Sequence, residues 1–181
     1  MTPEKLLCKI VKILDKLNIP YLITGGYAVA VLAKPRFTAD IDIVIELLPQ
    51  KIPLLSKELL AINKDVYISE EAIKEALESK GEFNFIHPQT GLKVDFWTKR
   101  YPFERFEKAV IEKIEGQKVK FISPEDLILS KLIWYKEGQG AKQLEDVKAI
   151  LEISRPNIKY IKNWATKEST IEILNEILGK Q

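Results

Sequence analysis

Asp40, Asp42 and Asp95 stand inside runs that otherwise read as β-strands, a setting in which aspartate is depleted. The chain has only seven aspartates. Asp126 falls in the first turn of a predicted helix, where an acid is at home, and Asp15, Asp65 and Asp146 fall in predicted helices or loops. Period-two geometry puts Asp40 and Asp42 on one face of their strand. In the run Leu92-Lys-Val-Asp-Phe-Trp-Thr98 the apolar face is Leu92, Val94 and Phe96, so Asp95 points the other way. If the two strands are neighbours, three carboxylates converge and repel, and at least one of their pKa values rises. A hard divalent cation removes that conflict and takes substrate phosphates as further ligands. Two such ions can clamp the attacking and leaving oxygens of a phosphoryl transfer. The same residues also read as strand-end aspartates facing water.

A glycine pair supplies a second piece of chemistry. Gly25-Gly26 lies between a short strand-like run, Tyr21–Thr24, and a compact helical one, 27–33. Glycine there lets backbone approach a ligand, and the first N–H groups of the helix face an anion. A tight strand-to-helix turn accounts for an isolated Gly-Gly equally well. Thirteen residues (27–39) then separate the pair from Asp40-Ile-Asp42, so a phosphate seat and a metal seat are one short helix apart. Arg36 and Thr38 place a cation and a hydroxyl just before the carboxylates; Arg36 also reads as an exposed loop residue. Lys131 has Leu127, Ile128, Trp134 and Tyr135 as its helical neighbours. A lysine on so apolar a face needs an anionic partner, unless it snorkels past Trp134.

The elements that must position these residues follow from pattern. Thr2-Pro3-Glu4 opens a helix with an N-cap, a first-turn proline and an acid, and Asn18-Ile19-Pro20 stops it. Ala39 to Glu46 alternates as a half-buried strand. Residues 50–62 and 70–79 read as helices. Glu82–Ile86 and Leu92–Thr98 read as a hairpin across the turn residues His87 to Gly91. Ala109–Glu115 and Gln117–Ile122 form another pair about Gly116. Ser123-Pro-Glu-Asp opens a strong helix to about Glu137, followed by a helix near Leu144–Ile153 and two short ones within 157–180. The order is not a strict βαβ alternation, so the expected class is α/β (α+β) with a mixed sheet flanked by helices. The expected organisation is an α/β core at 1–122 and a C-terminal helical region at 123–181.

Composition sets the outer bounds. The chain has 181 residues, 46% hydrophobic and 30% charged, with 28 Lys+Arg against 26 Asp+Glu. That is enough apolar material for a core, and the near balance argues against an electrostatic sleeve for long nucleic acid. No apolar run is long enough to span a bilayer, the first residues lack a signal-peptide layout, and one cysteine cannot make an intrachain disulfide. A cytoplasmic location is the expectation. His87, the only histidine, reads as a surface loop residue, so Ser-His or Cys-His catalysis and a zinc site lack material. No P-loop or Rossmann glycine pattern is present. Lys99-Arg100 reads as a solvated strand end or as a phosphate contact. Trp97, Tyr101, Phe103 and Phe106 read as helix-on-sheet packing.

Thr24-Gly25-Gly26, then Arg36-x-Thr38-x-Asp40-Ile-Asp42, then a later strand Asp95, resembles the nucleotidyltransferase superfamily of polymerase-beta type. The chain most resembles the small prokaryotic branch of minimal nucleotidyltransferases and AbiEii-type toxin enzymes. Ser123-Pro-Glu-Asp-Leu-Ile-Leu-Ser-Lys131-Leu and Leu144-Glu-Asp146-Val are similar to the helical segment of that branch. The resemblance implies a polymerase-beta-like fold and transfer of an NMP from an NTP to an acceptor hydroxyl on RNA, protein or a small molecule. It implies Mg²⁺, with Mn²⁺ as the substitute, at Asp40, Asp42 and Asp95, with Asp95 also the base. Gly25 and Gly26 would cradle the β- and γ-phosphates, with Arg36, Thr38 and Lys131 as further nucleotide contacts. A small antitoxin partner is implied too. Relatives often carry Gly-Ser where this chain has Gly25-Gly26, and Lys-Asp where it has Lys142-Gln143, so Asp146 reads as a helix cap or a local salt bridge. The rival readings are a nucleotide-binding or regulatory module without turnover and a DxD glycosyltransferase using Mn²⁺.

Overall fold

The computed structural model describes every residue except 39, 67, 99–105, 139 and 180–181. Lys99, Arg100, Tyr101 and Phe103, singled out from sequence, therefore lie outside the described residues, as does the first residue of the predicted strand at 39–46. The chain opens with helix α1 (Pro3–Lys16), capped by the Thr2 hydroxyl, which accepts from the Lys5 N–H at 3.3 Å. Its buried stripe of Leu6, Leu7, Ile10, Val11 and Leu14 gives it one apolar face. Asn18, at φ 50°, takes the left-handed turn that ends it.

Strand β1 (Tyr21–Thr24) is buried throughout and leads directly into α2 (Gly25–Leu32). Then come β2 (Asp40–Ile45), a 3-10 turn at Pro49–Lys51, α3 (Ile52–Leu60), α4 (Glu70–Ser79), β3 (Glu82–Ile86) and β4 (Lys93–Thr98). A hairpin of β5 (Val110–Ile114) and β6 (Gln117–Phe121) follows, then α5 (Pro124–Lys136), α6 (Lys142–Ser154), α7 (Ile158–Lys167) and α8 (Ile171–Leu178). The elements expected from sequence all form, within a residue or two at their ends.

The sheet has six strands in the order β3-β4-β2-β1-β6-β5. β1 is antiparallel to β2 and parallel to β6, and β2 is parallel to β4. The sheet is thus mixed, as the irregular element order required. Ile41, Ile43 and Ile45 on β2 and Val94 and Phe96 on β4 point into the core with almost no exposure. Each such side chain contributes roughly 1.5–3 kcal/mol by leaving water. The opposite face carries Asp42 and Trp97, and α5 meets it there through Trp134, whose ring stands edge-on to Trp97 at 5.7 Å. One buried cluster runs from Leu6 through Ile43 and Phe121 to Leu132 and Ile177, so α5 to α8 share apolar surface with the sheet.

His87 departs from expectation. It is 6% exposed, and its Nδ1 lies 3.0 Å from the Thr90 hydroxyl inside the β3–β4 turn. The turn residues around it fold its ring inward, so it is a buried turn residue and not a surface one.

Helix α5 carries Lys131 into the site, and its start is fixed by Ser123, whose hydroxyl accepts from the Asp126 N–H at 3.1 Å in a buried setting. Replacing Ser123 by Ala should lower stability by about 1 kcal/mol, the usual cost of losing a cap, read as a reduced urea midpoint with unchanged slope.

Candidate active site

Register brings the acids together. Across the parallel β2–β4 pair, Asp40 stands beside Lys93 and Asp42 beside Asp95. Gly25 ends β1 at φ +65°, a left-handed conformation that suits glycine. A Cβ there would overlap the Asp42 carboxylate, so the bend lays bare backbone directly against that acid. At Gly26 a Cβ would overlap the Arg36 guanidinium and lie 2.8 Å from the Thr38 hydroxyl. The second glycine therefore makes room for a cation and a hydroxyl brought from the segment before β2. Arg36 Nε donates toward the Gly26 carbonyl at 3.5 Å, and the Thr38 hydroxyl donates to the Asp40 carbonyl at 3.1 Å. Thr24 gives α2 no side-chain cap, which leaves its first N–H groups without an intrahelical partner.

Apart from Lys93, these residues line one cavity of about 630 Å³, together with Trp97, Lys131, Trp134, Lys142 and Gln143. All eight residues proposed from sequence for catalysis or binding, Gly25, Gly26, Arg36, Thr38, Asp40, Asp42, Asp95 and Lys131, are on its wall.

The Asp42 carboxyl is held above the ordinary carboxylate range, chiefly by burial, with the Asp95 and Asp40 charges adding to it. The Trp97 indole N–H, donating to Asp42 Oδ1 at 3.2 Å, and the Lys131 charge work in the opposite sense. Lys131 is 7% exposed. Burial pushes its ammonium below the usual lysine range, against the support of Asp146. Its Nζ lies 3.0 Å from Asp146, which also meets Arg36 Nη1 at 3.3 Å. Asp146 is thus neither a cap nor a local pair: α6 is preceded by Ala141 at its cap position, and the buried acid joins two cations from distant parts of the chain. The lysine has the anionic partner its apolar neighbours called for.

Asp95 is turned onto Lys93, whose Nζ is 2.9 Å from both carboxylate oxygens. With Asp95 engaged there and Asp42 engaged by Trp97, no three acid, histidine or cysteine side chains among the described residues form a closed metal-ligand set as they stand. The donor chemistry nevertheless fits a hard divalent cation: the Asp95 and Asp40 charges push the Asp42 carboxyl up, and an ammonium already stands 2.9 Å from both oxygens of Asp95.

Lys93 escaped the sequence reading, which also did not give Trp97 and Asp146 their roles at the site. Lys93 and Trp97 flank Asp95 at two residues on either side, so the same alternation that placed Asp95 also places them on its face. Trp97 does pack a helix on the sheet, but it also hydrogen-bonds Asp42. The Asp146 link to Arg36 and Lys131 depends on the docking of α6 against α5, and no local pattern announces it.

The AbiEii model, described as a nucleotidyl transferase AbiEii toxin of a type IV toxin–antitoxin system, matches residues 10–170. The chain belongs to the AbiEii nucleotidyl transferase family. Nucleotidyl transfer is the reaction class of that family. Solved structures share its fold. The antibiotic-resistance factor ANT(2'')-Ia in solution is 15% identical, with a TM-score of 0.60 over 98% of this chain and 97% of that one. The lincosamide antibiotic adenylyltransferase LnuA, bound to lincomycin, is 16% identical, with a TM-score of 0.56 over 84% of this chain and 98% of that one. An antigenic nucleotidyltransferase-like protein from Paracoccidioides brasiliensis is 24% identical, with a TM-score of 0.55 over 82% and 75%. These likenesses establish a polymerase-beta-like nucleotidyltransferase fold. Among curated proteins none matches the chain. No helix among the described residues is long and apolar enough to cross a membrane.

The electrostatics of this AbiEii-family site carry a stability signature. Because burial raises the folded-state pKa of Asp42, the native chain keeps that proton to higher pH than the unfolded chain does. Stability contributed by the protonated acid is therefore lost as pH rises from the ordinary carboxylate value, about 4, through the raised one. Asp42→Asn removes the buried charge while keeping an oxygen for Trp97. It should melt higher than the parent at pH 7.5, and the difference should close as pH falls below that ordinary value.

Proposed function

We propose that the chain transfers an NMP from an NTP to the hydroxyl of an acceptor, RNA, protein or small molecule, with Asp40, Asp42 and Asp95 as the catalytic centre. The observation that carries this reading is the Asp42–Asp95 pair in register across two parallel strands, set against the Gly25 bend. The bend and the α2 N-terminus receive the β- and γ-phosphates through backbone N–H groups. Arg36 and Lys131 supply positive charge to the triphosphate, and the Thr38 hydroxyl adds a contact where Gly26 has no side chain. Asp95 takes the proton of the acceptor hydroxyl. The oxygen then attacks the α-phosphorus, the bond to the bridging oxygen of the β-phosphate breaks, and pyrophosphate leaves. Mg²⁺, or Mn²⁺ in its place, held by Asp40, Asp42 and Asp95, would neutralise triphosphate charge and make the acceptor hydroxyl more acidic. The protein's part is then positioning and charge compensation.

The near-neutral net charge of +2 supports an acceptor that is small or engaged locally. Within its family the chain is proposed to act as the toxin of a toxin–antitoxin pair, with an antitoxin as partner, in the cytoplasm. The α/β part at 1–122 and the helical part at 123–181 are proposed as its organisation, the second bringing Lys131 and Asp146 to the first.

With labelled NTPs, a panel of tRNA, protein and aminoglycoside or lincosamide acceptors, and Mg²⁺, the parent should release pyrophosphate and label one acceptor class. Asp40→Asn, Asp42→Asn and Asp95→Asn should each lower transfer by roughly a hundredfold or more, as for loss of a preorganised charge-stabilising group. Full activity in folded variants would overturn the assignment. Binding of NTP by the parent without pyrophosphate release would favour a binding module instead.

A further inference from the structure

We infer that Lys93 is a built-in counter-ion that stands in for the divalent cation at Asp95 and must be displaced when the cation binds, so that it sets the metal affinity of the site. The inference rests on the metal reading proposed above and concerns a residue that reading does not use.

Lys93 Nζ sits 2.9 Å from each oxygen of Asp95. Both residues lie on β4, two apart and on one face, and Asp40 is the cross-strand neighbour of Lys93. The ammonium thus stands at the edge of the acidic patch, among Asp95, Asp40 and Glu82, whose charges all favour its protonated form. A dication held by Asp95 with Lys93 unmoved would face a positive charge across a single carboxylate. Lys93 can leave. Its side chain is 35% exposed, and its flexible four-carbon stem reaches solvent. Lys131 contrasts with it: that side chain is 9% exposed and held by Asp146. The pair joins a part-exposed ammonium to a buried carboxylate, and a divalent ion brings twice the charge to the same oxygens. The exchange therefore favours the metal, at the cost of breaking the pair.

The test is Mn²⁺ titration of the nucleotide-free full chain by calorimetry, at one pH and ionic strength, with Lys93→Met, Lys93→Gln, Asp95→Asn and the double variant Lys93→Met with Asp95→Asn. Lys93→Met and Lys93→Gln should bind Mn²⁺ at least roughly fivefold tighter than the parent, the fold-change that about 1 kcal/mol gives. Their melting temperatures should also rise more on Mn²⁺ addition than the parent's. In the Asp95→Asn background, Lys93→Met should make no difference. If the parent binds Mn²⁺ and neither Lys93 variant binds it tighter, the inference falls and the catalytic reading stands. If Lys93→Met tightens binding equally without Asp95, the effect is distant charge alone and the inference again falls. If no form binds Mn²⁺ at millimolar concentration, the metal reading and the inference fall together.

Discussion

The site depends on keeping negative charge in the middle of a sheet. Asp42 is walled by the Gly25 backbone on one side and the Trp97 indole on another, and Asp95 and Asp40 stand beside it. Partial burial holds its carboxyl above the ordinary range, and the neighbouring acids discourage its ionisation further. A fold has little reason to place such a group there for stability, since a buried acid without a cation costs free energy. Of the surrounding cations, Lys131 offsets that cost at Asp42 and Lys93 pairs with Asp95. Lys131 approaches from α5, Arg36 from the segment before β2, and Lys93 from the acidic strand itself.

Those cations are held differently. Lys131 and Arg36 share Asp146, which α6 carries into the same wall. A buried acid between two cations restrains both while leaving their combined charge positive. In the proposed reaction that arrangement would suit a triphosphate, because the cations need little ordering when the anion arrives. Among the described residues Lys93 pairs with Asp95 alone, and its side chain is 35% exposed. The glycines fit the same division: Gly26 exists where Arg36 and Thr38 need its volume, and Gly25 exists where Asp42 needs its backbone.

The central module was legible in the sequence because its parts obey local rules. Strand alternation put Asp40 and Asp42 on one face and Asp95 away from its apolar neighbours, and the Gly25-Gly26 break marked the end of β1. Lys93 and Trp97 obey the same alternation, but a lysine at a strand start has an ordinary explanation and the packing reading of Trp97, correct in itself, does not reveal its bond to Asp42. His87 was misjudged because turn composition says where the chain reverses and not which turn side chain folds inward. The partners of Asp146 were beyond local reasoning altogether: they come from α5 and from the segment before β2, and only helix packing on the sheet brings them together.

The two halves of the cavity thus differ in how far they are preset. On the α5–α6 side Lys131 and Arg36 are paired with the buried Asp146. On the β4 side Asp95 is paired with a part-exposed lysine, Lys93. For a transfer reaction this asymmetry has a consequence. In the proposed transfer the Arg36 and Lys131 charges are set for the triphosphate in advance, whereas Asp95 would become available as a ligand or base only after Lys93 releases it. On the proposed reading the fold therefore separates nucleotide capture from activation of the acceptor, using one ion pair that persists and one that yields.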